Sequence, residues 1–345
     1  MSSPLAGSPS QDVAPGPEAS GRAAMAVVRG LVVRFALVAG FVAMLLYFTW
    51  QTPLFLTRGN LITIAQASAV LLVVAVPMTV LVIMGLVDLS IGSILAITAV
   101  SVGLLINGGT HWTLAALVGI ALGAAIGAFN GTLVCYLRLS PIVVTLGMLQ
   151  LLRGATMYLT ERPPSSFGEG MALLGRGIWM SLPVPVWIAL AVFALGAFYL
   201  YVSVPGRHTY AIGTNAQAAF LSGVRTQAMP TIAYAVTGAA TGLGGVLVAA
   251  RLDSAPPATV GQGFELQVLT AVLLGGVAFT GGRGTMAGAL LGVVFLGVLQ
   301  NGLVLLDVSS YGQQLSTGIA LVAAAALDEI GLRQGRVRAI VQRPR

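Results

Sequence analysis

The sequence predicts an all-α fold, a polytopic membrane helix bundle of about ten transmembrane helices. Charged residues make up 8% of the 345-residue chain, against about 25% in soluble domains. Hydrophobic residues make up 57%, and they form runs near the roughly 20 residues that a helix needs to cross a bilayer. The 44 glycines favour close packing of such helices in lipid.

Apolar runs define the predicted spans and domains. The ten spans are predicted near residues 33–50, 61–84, 90–106, 113–136, 141–159, 184–204, 228–250, 264–280, 285–306 and 312–328. The run at 264–280 is short enough to be a broken or re-entrant segment. A transmembrane domain is predicted over 31–330, between a disordered cytoplasmic tail (1–30) and a basic cytoplasmic tail (331–345).

The residue types exclude several kinds of chemistry. All 17 basic residues are arginine, so the chain lacks the lysine of a Walker-type phosphate loop or of a Schiff-base enzyme. His111 and His208 lie in different predicted loops, and Cys135 is the single cysteine, so no metal site is predicted. Because no G-x-S-x-G, no H-E-x-x-H and no mid-span pair of carboxylates occurs, we predict no catalytic residue and no enzyme.

The arginines predict the orientation in the membrane. With the N-terminus inside, twelve are cytoplasmic, four are outside, and Arg153 lies within a span. Because cytoplasmic loops carry the excess of basic residues, both termini are predicted to be cytoplasmic. The formal charge of +7 is therefore attributed to orientation in a lipid bilayer rather than to binding of nucleic acid.

A faint internal repeat relates the two halves, residues 61–160 and 228–328. An offset of 171 aligns Gly92 with Gly263 and Asn130 with Asn301. Because it shifts the chain by five spans, the copies are predicted to be inverted in the membrane. A competing offset of 165 aligns two glycine stripes, and both offsets stay open. The six glycines predicted to pack helices are Gly119, Gly123, Gly127, Gly284, Gly288 and Gly292.

The longest polar interruption is the loop 205–226, in the middle of the chain. Asn215 is a typical helix N-cap, residues 216–222 have room for about two turns, and Gly223 suits a left-handed terminating position. The sequence therefore predicts a short docking helix outside the bilayer, facing the cytoplasm.

Two carboxylates have two interpretations each. Asp88, in the segment Gly85-Leu-Val-Asp88-Leu-Ser90, either caps the following helix near the interface or, with Ser90, belongs to a gate or solute path. Glu265 either complements the dipole at the start of a predicted helix or contacts the solute.

Four motifs in this order resemble one family, the permease subunits of bacterial ATP-binding cassette (ABC) importers of the ribose, xylose and arabinose type. The resemblance covers about residues 60–330. The motifs are Gly85 with Asp88-Leu-Ser-Ile-Gly92; Pro141 with Thr145-Leu-Gly147 and Arg153-Gly154; Gly206-Arg207 with Tyr210-Ala-Ile-Gly213, Asn215, Ala218-Ala219 and Ser222-Gly223; and Gly263-Phe-Glu265-Leu266 with Gly275-Gly276, Gly281-Gly282 and Gly284. Thr214 replaces a usual glycine, and Gln217 stands where an acidic residue is common.

The resemblance implies a division of labour among several proteins in the bacterial cytoplasmic (inner) membrane. Two permease chains, identical or different, would form the path for a monosaccharide or similar small polar solute. Separate ATPase subunits would bind ATP and Mg, whereas this chain would bind no cofactor. An extracytoplasmic solute-binding protein would deliver the solute. The ATPase-coupling residues implied are Gly206, Arg207, Asn215, Ala218, Ala219, Phe220, Leu221, Ser222 and Gly223.

Other transporter classes compete with this interpretation. A permease for branched-chain amino acids or nucleosides is the alternative within the ABC importers. An ion-coupled secondary transporter is the alternative outside them; such a protein usually needs ionisable groups in mid-span, whereas the carboxylates here fall at predicted span ends.

Overall fold

A computed structural model describes residues 38–341, with side-chain surroundings described through residue 326. The predicted tail at 1–30 and the side chains of the tail at 331–345 lie outside the described residues. The first predicted span, 33–50, is described only from Val38 onward.

Thirteen helices build the described part of the chain, and the prediction of an all-α bundle is confirmed. They are α1 (Val38–Gln51), α2 (Arg58–Ile83), α3 (Ile91–Asn107), α4 (Trp112–Cys135), α5 (Pro141–Leu159), α6 (Glu169–Arg176), α7 (Val184–Val202), α8 (Val204–Thr214), α9 (Ala216–Leu221), α10 (Ala228–Leu252), α11 (Phe264–Leu274), α12 (Met286–Leu305) and α13 (Ser310–Val341). One small antiparallel pair, β1 (Ile178–Trp179) and β2 (Leu182–Pro183), precedes α7.

Six of these helices are long and apolar enough to cross a bilayer. They are α2, α4, α5, α7, α10 and α12. Helix α3 has 17 residues and α11 has 11, fewer than the about 20 residues of a typical span, so the count of ten spans stays a prediction. Helix α11 ends at Leu274, and the rest of the predicted run at 264–280 is a turn that begins with Gly275 and Gly276.

Helix α2 forms the centre of the bundle. Its residues from Ser68 to Ile83 are all buried, and it packs against α7, α10, α11 and α12. An apolar helix without a polar face suits such a position. Tyr234, near the start of α10, donates to the carbonyl oxygen of Val87, just after α2, at 2.9 Å. Because Gly244, further along α10, lies against Val74 and Val70, the two helices are antiparallel.

The helix packing is compatible with an inverted repeat, and it does not choose between the two offsets. Both 171 and 165 place α2, α3, α4 and α5 on α10, α11, α12 and α13. Under either, the pair α4 and α10 corresponds to α12 and α2, the pair α3 and α4 to α11 and α12, and the pair α3 and α5 to α11 and α13. All of these pairs are in contact, and the antiparallel α2 and α10 give the relation its inverted sense.

Glycines bring α4 and α10 into backbone contact. A side chain at Gly127 would overlap the carbonyl oxygen of Tyr234 and come within 3.1 Å of the Cα of Gly238. Gly123 faces Gly238 and Gly242 in the same way, as small-residue stripes allow in lipid. Gly119 lies against the side chain of Val102.

The second predicted stripe has different neighbours. Gly288 approaches the backbone of Gly275, and Gly292 that of Ala271, so this stripe packs α12 on α11. The helix α11 is the 171-offset counterpart of α3 and not of α10, so the two stripes have non-equivalent partners. Gly284 lies in the turn before α12 with a φ of 151° and faces Val277 and Ile83.

Candidate coupling site and buried polar cluster

The segments between helices gather at two ends of the bundle. We call one end the α9 face, formed by residues 84–90, 136–140, 203–227 and 275–285. The opposite end, formed by residues 52–57, 108–111, 160–183, 253–263 and 306–309, is the α6 face. A backbone bridge between Ser165 and Ser254 joins segments of the α6 face, and the bond from the Tyr210 hydroxyl to the Gly284 carbonyl joins segments of the α9 face.

Helix α9 is closed at both ends by its own sequence. The side chain of Asn215 accepts a hydrogen bond from the Ala218 N–H at 2.9 Å, which is the N-cap interaction. Gly223 has a φ of +83°. Its N–H donates to the Phe220 carbonyl at 2.9 Å, and the Val224 N–H donates to the Ala219 carbonyl at 3.0 Å, which are the two bonds of a Schellman motif.

The outer side of α9 is apolar and exposed. Phe220 is 60% exposed and Leu221 is 77% exposed, whereas Ala219 is buried and faces the bundle. Ala218 and Ser222 are exposed beside them, and the Ser222 hydroxyl only donates to the Ala218 carbonyl of its own helix. The helix therefore presents two large apolar side chains beyond the end of the bundle.

Helix α8 precedes α9 and was missed by the sequence reasoning, which treated residues 205–214 as loop. Ser203 caps it by accepting from the Gly206 N–H at 3.0 Å, and Pro205 occupies its first turn. A serine followed by proline is a helix start signal. Gly206 is buried against the Leu200 backbone, so it has a packing position, while Arg207 is exposed.

Helix α8 holds α9 against the core through a glycine-rich turn. Gly213 lies against the Ile83 carbonyl and the Gly282 N–H, and Gly282 N–H donates to that same Ile83 carbonyl at 2.8 Å. The Tyr210 hydroxyl donates to the Gly284 carbonyl at 2.8 Å. Burial, and secondarily Tyr201, raise the pKa of the Tyr210 phenol, so it stays a donor. A displacement of α9 is thereby linked to the end of α2 and to the start of α12.

Asp88 lies at the break between α2 and α3, and it is wholly buried. Its Oδ1 accepts from the Ser90 N–H at 2.9 Å and from the Ser90 hydroxyl at 2.6 Å. Helix α3 begins at Ile91 with Ser90 as its cap residue. Asp88 therefore organises the turn before the helix, and does not itself occupy the cap position.

Ser90 joins Asp88 to a second helix. Its hydroxyl oxygen accepts from Asn130 Nδ2 on α4 at 2.9 Å, and both residues are fully buried. Oδ2 of Asp88 and Oδ1 of Asn130 have no partner among the described residues. The three residues form a buried polar cluster, a side-chain connection between the α2–α3 break and α4.

Replacing Ser90 by alanine is expected to lower the stability of the folded protein by about 1–3 kcal/mol, the cost of buried polar groups left without partners. The control is Ser93→Ala, because Ser93 is equally buried but donates only to the Ser90 carbonyl, which also accepts from Ile94. Thermal unfolding of purified protein in detergent measures both. Equal unfolding temperatures for the two variants would contradict the bridging role of Ser90.

Glu265 occupies the first turn of α11, as the sequence indicated. It is half-buried, and its Oε2 is buried without a hydrogen-bond partner among the described residues. Its carboxylate lies against Gly92 at the start of α3. Nearby Arg153 donates to the Val260 carbonyl at 2.8 Å. The structure therefore places Glu265 between α3, α11 and the 253–263 segment, separate from the Asp88 cluster.

Comparison with known proteins decides the family. A family described as "Branched-chain amino acid transport system / permease component" matches residues 60–325. The chain belongs to this permease family. It is a multi-pass membrane protein. Together with the ribose and arabinose permeases described next, this match confirms the family resemblance given by the four motifs.

Named relatives of this permease are sugar importers. The ribose import permease protein RbsC of Escherichia coli strain K12 is 38% identical over 282 residues, which cover 80% of this chain and 88% of that protein. RbsC of Bacillus subtilis strain 168 is 35% identical over 80% of this chain and 86% of its own. The L-arabinose ABC transporter permease protein AraH of Azospirillum brasilense is 31% identical over 96% of this chain and 98% of its own. No solved structure matches the chain.

Proposed function

We propose that this permease forms the translocation path of an ABC importer for a monosaccharide or a similar neutral, polyhydroxylated solute. The observation that carries this proposal is the match to ribose and arabinose permeases over at least 80% of the chain. The family description names branched-chain amino acids, but the named relatives carry sugars. The chain itself performs no covalent chemistry.

The energy comes from partner subunits in this proposal. A cytoplasmic ATPase binds ATP and Mg and contacts α9 through Phe220 and Leu221. ATP-driven closure of the ATPase moves α8 and α9, which biases the bundle between inward-facing and outward-facing states. An extracytoplasmic binding protein delivers the solute at the α6 face, and a second permease chain completes the path. Asp88, Ser90 and Glu265 belong to the parts of the bundle that these movements rearrange.

The proposal also needs an orientation in the membrane, and the arginines of residues 38–326 do not decide it, because equal numbers lie at the two faces. Four lie at the α9 face, namely Arg138, Arg207, Arg225 and Arg283. Four lie in the α6 face or within two residues of its segments, namely Arg58, Arg162, Arg176 and Arg251. The predicted cytoplasmic excess of arginine therefore comes from residues 22–34 and 333–345. On this basis we place the α9 face on the cytoplasmic side of the bacterial inner membrane.

A thiol-labelling experiment tests this orientation. Cys135 is the single cysteine, so Cys135→Ser gives a background without thiols. In it, Leu221→Cys is expected to react with an impermeant maleimide only after spheroplasts are permeabilised. Leu173→Cys, an exposed position of the α6 face, is expected to react in intact spheroplasts. The reverse pattern would overturn the coupling role of α9.

Substrate class is tested by uptake into spheroplasts that express the permease with its ATPase and binding protein. Labelled D-ribose or L-arabinose is expected to accumulate, and L-leucine is expected neither to accumulate nor to compete. Uptake of L-leucine without uptake of either sugar would overturn the sugar assignment and favour the amino acid permease.

A further inference from the structure

A cavity with several polar lining residues opens between α11, α12 and α13 at the α6 face. Its volume is about 640 Å³, within the range of roughly 300–1,000 Å³ that is typical of small-molecule sites. It runs along α13 from Ser310 to Leu321, a rise of about 16 Å. The cavity therefore reaches from the face into the membrane-embedded part of the bundle.

Carboxamides supply most of the polar side chains that line this cavity. Five glutamines line it, namely Gln262, Gln267, Gln300, Gln313 and Gln314, out of 13 in the whole chain. They come from the 253–263 segment and from three different helices, so folding alone brings them together. Thr317 adds a hydroxyl, and the lining contains no charged residue.

These glutamines do not form a structural network with one another. Gln313 donates to the Val308 carbonyl at 3.0 Å, and the other four side chains have no hydrogen bond to another described residue. Some amide side chains elsewhere are bound to the protein: Gln66 donates to the Gly175 carbonyl at 2.8 Å, and Asn60 exchanges two bonds with Asn301. Four carboxamides of the cavity thus keep free donors and acceptors.

Two of these free carboxamides, those of Gln267 and Gln300, are half-buried, whereas Gln262 and Gln314 are exposed. Half-buried carboxamides inside a membrane protein are costly unless they meet water or a polar ligand. Each supplies two N–H donors and a carbonyl acceptor without a net charge, which matches the mixed donor and acceptor character of hydroxyl groups. A zwitterionic amino acid, in contrast, needs charged partners when it leaves water.

We propose that this glutamine-lined cavity is a binding site for the solute on its way through the permease, and that it accepts neutral polyhydroxylated molecules by hydrogen bonds from its carboxamides. The site rests on the proposed import function and deepens it. Gln267 and Gln300 are its central residues, since both are half-buried and lie on two different helices, α11 and α12.

The double variant Gln267→Leu with Gln300→Leu tests the site in the assembled importer, with D-ribose and L-arabinose as probes. Initial uptake is expected to fall by about tenfold or more, the size expected for the loss of two neutral hydrogen bonds. Gln150→Leu, at an exposed position of α5, is the matched control and is expected to keep wild-type uptake. ATP hydrolysis stimulated by the binding protein is expected to persist in both variants, because the coupling helix is untouched.

A second experiment separates an effect on the site from an effect on folding, because the label is added after the importer has folded and assembled. In the Cys135→Ser background, Gln300→Cys is labelled in spheroplasts with a bulky, impermeant maleimide, and Gln150→Cys serves as the control. Labelling is expected to block sugar uptake only in Gln300→Cys. Uptake within twofold of the unlabelled protein for Gln300→Cys, or wild-type uptake by the double leucine variant, would overturn the site while leaving the import function standing. A wild-type importer that carries neither sugar would overturn both.

Discussion

Replacing Phe220 and Leu221 together by alanine is expected to weaken binding of the ATPase subunit by about 100-fold, and with it to abolish ATP-driven uptake. Both side chains are mostly exposed on a helix held rigid at each end. Large apolar anchors on a preorganised element are where binding energy concentrates in protein interfaces. Because neither side chain supports the bundle, the variant is expected to fold normally.

Pull-down or surface-binding measurements with the purified ATPase test this prediction. The matched control is Leu173→Ala with Ile178→Ala, two side chains of similar size and exposure at the α6 face. The control is expected to bind the ATPase like the wild type. If the Phe220 and Leu221 variant bound the ATPase with unchanged affinity, α9 would not be part of the interface.

Replacing Gly127 by valine is expected to prevent the bundle from forming a stable fold. The added side chain would overlap the Tyr234 carbonyl and crowd the Cα of Gly238. These are backbone atoms of a helix that packs tightly on α4, so they cannot rotate away as a side chain would. Overpacking costs typically about 1–3 kcal/mol in ordinary cores, and an interface built on backbone contact leaves less room for relaxation.

Fluorescence-detected size exclusion of detergent extracts measures the yield of folded protein. Gly147→Val on α5 is the control, since its helix has the same intrinsic cost for valine but nothing lies within 4 Å of the added carbon. We expect a monodisperse peak for Gly147→Val and aggregated or degraded protein for Gly127→Val. Equal yields would show that the contact between α4 and α10 is loose.

Local signals predicted helix α9 well, because capping is a property of neighbouring residues. Asn215 and Gly223 lie at the two ends of α9, and both act through backbone groups within four residues. Helix α8 had the same kind of signal in Ser203 and Pro205, but its polar residues and two glycines resemble a loop. The apolar runs similarly gave the helices of the bundle, while their length could not separate full spans from α3 and α11.

The polar clusters could not be predicted in the same way, because their members are distant in sequence. Asp88 was visible as an isolated charge, but its link to Asn130 runs through Ser90 across 40 positions. The glutamines of the cavity come from four segments, and no spacing connects Gln267 with Gln300. Only the fold decides which polar side chains meet.

The central claim is that sugar import by this permease requires an ATPase that acts through α9. Proteoliposomes containing the permease are prepared with and without the ATPase, with ATP inside and the binding protein outside, and internal labelled sugar is measured. We expect accumulation above the external concentration only when the ATPase is present, and its loss in the Phe220 and Leu221 variant. Accumulation by the permease without any ATPase would contradict the account.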